Sequence, residues 1–125
     1  MTYDDNNIFA RILRGEIPND TVLETAHTLA FNDIAPQAPV HVLVIPKGAY
    51  VTLDDFAARA SAEEVVDFMR TVAQLSEHLG VSPVKGGQGF RAITNAGPHS
   101  MQEVPHFHLH LLGGRNLGRL LVPAE

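Results

Sequence analysis

Three histidines occupy every second position near the C-terminal end of the chain, within the run His106–Leu112. In an extended strand alternate side chains point to the same face, so His106, His108 and His110 would form one row with neighbouring Cα atoms roughly 6.5–7 Å apart. The apolar residues between them would point to the opposite face and hold the strand in a core. An imidazole has an ordinary pKa of ~6.5, so such a row could supply a nucleophile or acid–base catalysis near neutral pH.

The residues alone leave three interpretations of this row open. The first is structural, with every imidazole buried and hydrogen-bonded, because an unpaired buried polar group costs ~1–3 kcal/mol. The second is a metal site, since His-x-His on a strand can place two imidazoles on one ion. His106 and His110 lie ~13 Å apart at Cα, so a further ligand would have to come from elsewhere, such as His41 or Glu103. The third is nucleophilic catalysis by His108, with a histidine on either side to orient it or move protons.

The composition limits the class of protein. The chain has 125 residues, 45% hydrophobic and 18% charged, which predicts a single soluble globular domain over residues 1–125. Nine basic against fourteen acidic residues give a net charge of −5, which disfavours nucleic-acid and anionic-membrane partners. There is no cysteine, which excludes disulfides, Cys-ligated zinc, iron–sulfur clusters and a thiol nucleophile. The N-terminal residues are polar and acidic and no apolar run is as long as a membrane span, so we expect no signal peptide and a cytoplasmic location.

Hydrophobic periodicity predicts the elements that must position the histidines. The clearest is a long helix over Ser61–Leu79, where Ser61 and Glu64 form a capping-box signature and Gly80 follows at the stop position. A short helix begins after Asn6 or Asn7, carries apolar residues at Ile8, Phe9, Ile12 and Leu13, and stops near Gly15. Five strands are predicted, at Thr21–Leu23, Thr28–Asp33, Val40–Ile45, Phe90–Thr94 and Val104–Leu112. This order predicts an α+β domain, a mainly antiparallel sheet of about five strands with one long and one short helix.

The histidine run also carries a resemblance to a known family. Its form, with histidines alternating with apolar residues, resembles the signature of the histidine-triad (HIT) superfamily of nucleotide hydrolases and transferases. Further blocks resemble the Hint-like nucleoside phosphoramidase branch of that superfamily, in the expected order and over most of the chain: Ile8–Pro18, Ala30–Pro39, His41–Lys47, Asn95–Gly97 and Leu112–Arg115. The resemblance implies a HIT-like fold that dimerises into a continuous sheet, hence a homodimer, with a purine nucleotide as substrate and neither a metal nor another cofactor.

The resemblance also implies roles for the histidines. His108 matches the middle histidine, which attacks the α-phosphorus and carries a covalent nucleotidyl group until water releases the nucleoside monophosphate. His106 would help position the strand and the acceptor for the second ring nitrogen of the nucleophile. His110 and His41 match supporting histidines that orient the nucleophile and relay protons.

The remaining predicted site residues bind the nucleotide, again by resemblance. Asp33 matches the residue that accepts from the ribose hydroxyls, and Asn95 matches one near the phosphate and the leaving group. The phosphate loop contributes Gln102 as a side-chain donor and backbone amides between Gly97 and Glu103. The apolar pocket for the base would draw on Ile8, Phe9, Ile12, Phe31 and Ile34.

Two departures from the family pattern lie in the phosphate loop. Ser100 and Met101 stand where two glycines are usual, and Glu103 stands where the family often has Ser. A carboxylate beside a phosphate is unfavourable unless it points away or is protonated, so we expect Glu103 to turn outward or pair with a basic group. Alternative functions remain: a dinucleoside polyphosphate hydrolase or nucleotidyl transferase of the same superfamily, a nucleotide-binding regulator with little turnover, and a His-ligated metal protein.

Overall fold

Five antiparallel strands form one sheet in the computed structural model of the chain, which describes residues 1–122. The strands are β1 (Thr21–Glu24), β2 (Thr28–Asn32), β3 (Val40–Pro46), β4 (Phe90–Ile93) and β5 (Leu109–Gly113), in the spatial order β1-β2-β3-β5-β4. The predicted α+β class with a five-stranded antiparallel sheet is therefore confirmed. The last three residues of the predicted domain 1–125 lie outside the described part of the chain.

Within residues 1–122, three α-helices accompany the sheet: α1 (Ile8–Leu13), α2 (Leu53–Arg59) and α3 (Ala62–His78). The prediction of one long and one short helix omitted α2. This helix is capped by Thr52, whose hydroxyl accepts from the amide of Asp55, but it has only seven residues and buries only Phe56. Two turns with so few apolar side chains give no helical periodicity in the sequence. None of the helices in residues 1–122 has the length and apolar character needed to cross a bilayer.

The long helix α3 begins and ends where its sequence signals predict. The Ser61 hydroxyl accepts from the Glu64 amide and the Glu64 carboxylate accepts from the Ser61 amide, so the capping box is complete. Helix α3 contacts β2 and β3 and buries Phe68 and Leu75 against the sheet. Met69, next to Phe68, is exposed, and the buried face continues through Thr71.

The two faces of the sheet carry two separate apolar clusters, because successive side chains of a strand point to opposite sides. On the side of α2 and α3, the first cluster contains Val42 and Val44 of β3 together with Phe107 and Leu111. On the side of α1, the second cluster is formed by Phe9, Leu29, Phe31, Leu43 and Ile45. The predicted alternation in the histidine run is present, since Phe107, Leu109 and Leu111 all belong to the first side.

The strand that carries the histidines is shorter than predicted. Strand β5 begins at Leu109, opposite Val44 of β3, whereas the sequence pattern predicted a strand from Val104. Pro105 has no N–H and cannot donate to a ladder, and the last residues of β3 pair only with β2. Of the three histidines of the run, only His110 therefore lies within the sheet, and the other two lie on the segment that leads into it.

Candidate active site

His108 lies at the edge of the sheet, on the side of α1, and is almost completely buried. Its Nδ1 lies 2.7 Å from the carbonyl oxygen of His106, so Nδ1 must carry the proton and donate it. A neutral imidazole then has its lone pair on Nε2. Among residues 1–122 no group bonds this nitrogen, and no buried side-chain nitrogen or oxygen is left unpaired, so Nε2 reaches the surface.

The surroundings of His108 keep its ring neutral and fixed. Burial lowers the pKa of His108, although the carbonyl of His106 and the charges of Asp33 and Glu103 act in the opposite direction. The ring of Phe9 on α1 meets the His108 ring edge to face, with centroids 4.9 Å apart. The hydroxyl of Thr94, just after β4, donates to the His108 carbonyl at 2.7 Å. The ring and the backbone of His108 are thus both held in place, and Nε2 is the ring nitrogen that has no partner within residues 1–122.

His106 ties the segment before β5 to the end of β3. Its side chain is fully buried, and its Nε2 lies 2.9 Å from the carbonyl of Pro46. Because a carbonyl can only accept, Nε2 carries the proton and Nδ1 is the acceptor, here for the hydroxyl of Tyr3 at 2.7 Å. Burial lowers the pKa of His106 to about 4, so the ring is neutral near pH 7.

A second imidazole pair lies beside the nucleophile candidate, formed by His41 of β3 and His110 of β5. The backbone amide of Gln37 donates to Nδ1 of His41, so His41 is protonated on Nε2. From there it donates to Nδ1 of His110, at 2.9 Å. The ring centroid of His110 is 5.1 Å from that of His108. Burial, together with repulsion by the other two imidazoles, lowers the pKa of His110 to about 4. The four predicted histidines therefore lie together on one side of the sheet.

Asp33 completes this group at the end of β2. Its Oδ2 lies 3.4 Å from Nε2 of His41, and its Oδ1 accepts from the amide of Ala35 at 2.8 Å. Asp33, His41 and His110 could together hold a metal ion, since one ligand atom from each lies within 4.8 Å of the others. His108 is not part of that set, so its free Nε2 and the potential metal ligands are separate.

The residues predicted for the base pocket divide into buried and exposed groups. Phe9 and Phe31 are buried in the second apolar cluster, with their rings edge to face at 5.7 Å, and Ile12 packs against that cluster. Ile34 is 96% exposed and Ile8 is 43% exposed, so these two have free apolar surface for a ligand. The buried group therefore supports any base pocket at this place. The exposed group, Ile8 and Ile34, can contact the base.

The predicted phosphate loop is held together by the side chain of Gln102. Its Oε1 accepts from the Gly97 amide, and its amide nitrogen donates to the carbonyls of Val51 and Val104. Both N–H groups are thus already used, which makes Gln102 a support of the loop rather than the direct phosphate donor that the sequence predicted. The amides of Gly97, Met101 and Gln102 are also paired within the loop, which reduces the predicted set of backbone donors.

The other residues near this loop differ in whether their side chains are free to contact a ligand. Asn95 follows Thr94, and its side chain makes no hydrogen bond within residues 1–122. Glu103 is exposed and forms no ion pair among those residues, so it does not pair with a basic group, but it is near enough for its charge to act on the pKa of His108. Met101 has φ 60, a left-handed conformation that costs a residue with a Cβ roughly 1–2 kcal/mol.

Sequence reasoning missed three partners of the histidines, namely Tyr3, Thr94 and the carbonyl of Pro46. Their contacts join residues far apart in the chain, and a lone tyrosine or threonine carries no pattern that would indicate them. A cavity of about 750 Å³ lies elsewhere, beside Arg91 and Arg115, and none of the predicted site residues lines it. The arrangement of donors and acceptors, rather than cavity size, therefore indicates the site.

Comparisons with known proteins agree with this geometry. The family model of the HIT domain matches residues 14–117. A 13.2 kDa HIT-like protein of Azospirillum brasilense is 53% identical over 120 residues, covering 96% of this chain and 95% of the relative. The purine nucleoside phosphoramidase of Escherichia coli K12 is 42% identical over 118 residues, covering 94% of each chain. The solved structure of a HIT family hydrolase from Clostridium thermocellum has a TM-score of 0.82 at 34% identity, covering 95% of this chain and 99% of that one. The resemblance inferred from the histidine run is thus confirmed, and the chain belongs to the HIT domain family.

Proposed function

We propose that this protein is a nucleotide hydrolase that cleaves purine nucleoside phosphoramidates or related nucleotide conjugates to the nucleoside monophosphate. The observation that carries the proposal is the state of His108, a neutral imidazole with Nδ1–H donated to the His106 carbonyl and with Nε2 unprotonated and accessible. The similarity to the Escherichia coli purine nucleoside phosphoramidase supports a hydrolase of the HIT class and this choice of substrate. His108 is the proposed nucleophile.

The chemistry follows from the protonation state of this imidazole. The lone pair of Nε2 forms a bond to the α-phosphorus while the phosphorus–nitrogen bond to the leaving amine breaks, and the amine departs with that electron pair and takes a proton from water. The ring of His108 becomes an imidazolium whose Nδ1–H remains donated to the carbonyl of His106, which stabilises the positive charge. Water then attacks the phosphorus and gives up a proton, which neutralises the hydroxide left by the first step, and the electron pair of the phosphorus–nitrogen bond returns to Nε2 as the monophosphate leaves.

The neighbouring residues fit the remaining tasks. Asp33 is the proposed acceptor for the two ribose hydroxyls, which a carboxylate can bind together. Ile8 and Ile34 are the proposed contacts of the base, because they have exposed apolar surface above the buried support. Asn95 is the proposed side-chain donor near the phosphate, since it has no other partner in residues 1–122. The hydrogen-bonded pair of His41 and His110 lies beside the ring of His108.

Turnover of adenosine 5′-phosphoramidate in the presence of EDTA tests the proposal directly. We expect AMP release by the wild type and a loss of several orders of magnitude in His108→Ala, because the covalent route is removed. Mass spectrometry of the acid-quenched wild-type protein should show the nucleotidyl adduct on His108. His78→Ala changes an exposed histidine at the end of α3, outside the triad and the phosphate loop, and is the matched control. Full activity of His108→Ala would refute the assignment.

Parallel assays separate the alternative functions. Faster turnover of a diadenosine polyphosphate than of the phosphoramidate would favour a polyphosphate hydrolase or nucleotidyl transferase. Normal AMP affinity without turnover of either substrate would favour a binding-only regulator. The proximity of Asp33, His41 and His110 supports a metal site as a second candidate, and activity that is lost in EDTA and restored by zinc would favour it over metal-independent catalysis.

We propose that the protein forms a homodimer through an extended sheet. Strand β4 is the last strand on its side of the sheet, with a free edge within residues 1–122, and an unpaired edge readily accepts another strand. Val66 and Met69, three positions apart on α3, are 54% and 61% exposed, as expected of apolar side chains covered by a second copy. Light scattering coupled to gel filtration should give twice the 13.6 kDa of the chain, and a monomer at assay concentration would contradict this proposal.

A further inference from the structure

The N-terminal segment before α1 reaches across to the histidine run. Tyr3 is half-buried, its hydroxyl lies 2.7 Å from Nδ1 of His106, and the two rings meet edge to face with centroids 5.6 Å apart. The segment is fixed on its C-terminal side by Asn7. The side chain of Asn7 caps α1 by accepting from Ala10 and donates to the carbonyl of Asp4 at 2.7 Å. Tyr3 is therefore held in place by the same turn that begins α1.

The hydroxyl of Tyr3 pairs the ring nitrogen of His106 that the carbonyl of Pro46 leaves unprotonated. Nε2 of His106 faces the carbonyl of Pro46 and must donate, so Nδ1 has a lone pair that needs a donor. Tyr3 is the donor that meets Nδ1 among residues 1–122, and His106 itself is fully buried and out of reach of water. Without that hydroxyl the ring has a buried, unpaired acceptor, and it can relieve this by rotating or changing tautomer.

The position of this ring matters because the backbone of His106 orients the nucleophile. The segment that carries His106 and His108 precedes the first ladder pair of β5, so no β ladder holds it. The bond from the His106 side chain to Pro46 ties this segment to β3 instead. The same peptide is also held by the Phe107 amide, which donates to the Tyr50 carbonyl at 2.7 Å. A change at the His106 ring would therefore tilt the His106 carbonyl, the acceptor for Nδ1–H of His108, rather than release it.

We propose that Tyr3 is a positioning residue for the nucleophile. The Pro46 carbonyl and the Tyr3 hydroxyl together hold the His106 ring as the Nε2–H tautomer, His106 helps to hold its own peptide against β3, and that peptide presents the Nε2 lone pair of His108 outward. Tyr3 makes no contact with the reacting atoms. This inference rests on the proposed function for its kinetic consequence, whereas the state of the His106 ring can be measured without any substrate.

Replacement of Tyr3 by Phe in the full chain tests the inference, because it removes the hydroxyl and keeps the ring against His106. We expect the rate of nucleotidyl transfer to His108, measured in a single turnover of adenosine 5′-phosphoramidate, to fall about five- to tenfold while KM stays within about twofold, as for one lost hydrogen bond that acts on the nucleophile. Tyr50→Phe is the matched control, because it removes the hydrogen bond from a buried tyrosine hydroxyl to Glu64 and keeps the Tyr50 carbonyl that accepts from the Phe107 amide. All rates are measured below the unfolding transition of each variant.

Nuclear magnetic resonance of the ring nitrogens supplies the independent readout. In the wild type, the His106 spectrum should show Nε2 protonated and Nδ1 as an acceptor, and Tyr3→Phe should shift Nδ1 or mix the two tautomers, whereas Tyr50→Phe should not. An unchanged His106 spectrum, an unchanged transfer rate, or a loss no larger than that of Tyr50→Phe would overturn the inference. If the wild type has no turnover, the proposed function fails, and the His106 spectra alone then decide the role of Tyr3.

Discussion

Acidification should destabilise this fold through the buried imidazole of His106. Its pKa is about 4 in the folded protein and has the ordinary value of 6.5 once the chain unfolds, because unfolding removes the burial that opposes the charge. The unfolded state therefore binds more protons. The contribution of His106 to stability is complete above pH 6.5 and is lost as the pH falls from there through about 4.

The magnitude follows from the size of this shift. A difference of about 2.5 pKa units corresponds to about 3.4 kcal/mol over the whole transition, and about 2 kcal/mol of it is lost between about pH 7 and about pH 5. A loss of this size is a large part of the roughly 5–15 kcal/mol that stabilises a typical domain. His110 and His108, whose pKa values are also lowered, act in the same direction.

Urea denaturation at several pH values, at one fixed protein concentration, measures the effect. His106→Gln should flatten the pH dependence by about 2 kcal/mol over that interval, because its amide nitrogen can still donate to Pro46 but does not titrate. Changing the exposed His99 to Gln is the control and should leave the slope of the wild type unchanged. Parallel pH dependence in the wild type and His106→Gln would refute the reasoning.

Further perturbations probe other parts of the molecule. Phe107→Ala should lose about 3–5 kcal/mol of unfolding free energy in urea denaturation, because this ring is 1% exposed and packs within the first apolar cluster. Phe90→Ala, at a position 38% exposed, should lose much less. Met101→Gly should raise the unfolding free energy by up to about 1 kcal/mol by removing the cost of a left-handed Met, and a lower thermal midpoint would contradict this. Asp33→Asn should raise KM roughly 10–100-fold through weaker hydrogen bonds to the ribose, and an unchanged KM in steady-state kinetics would exclude that role. The rate should fall with acid only below about pH 6.5, since burial lowers the pKa of His108, and a rate already falling well above that pH would contradict a neutral nucleophile of lowered pKa.

The elements with strong local signals could be predicted from the sequence. Helix α3 has a capping box and seventeen residues, and β3 is a continuous apolar run, so both lie within a residue or two of their predicted bounds. Helix α2 has neither length nor periodicity and was missed. The start of β5 was misplaced by five residues, because an alternating pattern shows which side each residue faces and does not show where the partner strand ends.

The candidate site shows the same division between local and tertiary information. Alternation and family resemblance indicated all four histidines, but the proton positions on their rings depend on partners that only the fold supplies. Tyr3 and His106 are separated by 103 positions, and His41 and His110 by 69. Gln102 was predicted as a phosphate donor from its place in the phosphate loop that the family resemblance indicated, whereas the fold uses its side-chain amide to hold two backbone carbonyls.

Because β5 begins only at Leu109, the segment that carries His106 and His108 can unfold locally while the sheet stays intact. Amide protons of Leu109–Gly113 that lie in the ladder should exchange with deuterium only when the sheet itself opens. The amide of His106 donates instead to the nearby Val104 carbonyl, so a local fluctuation can expose it while the ladder stays intact. The histidine run therefore spans two levels of protection. Slow exchange at the His106 amide would be a direct sign that a bound nucleotide has closed the local fluctuation.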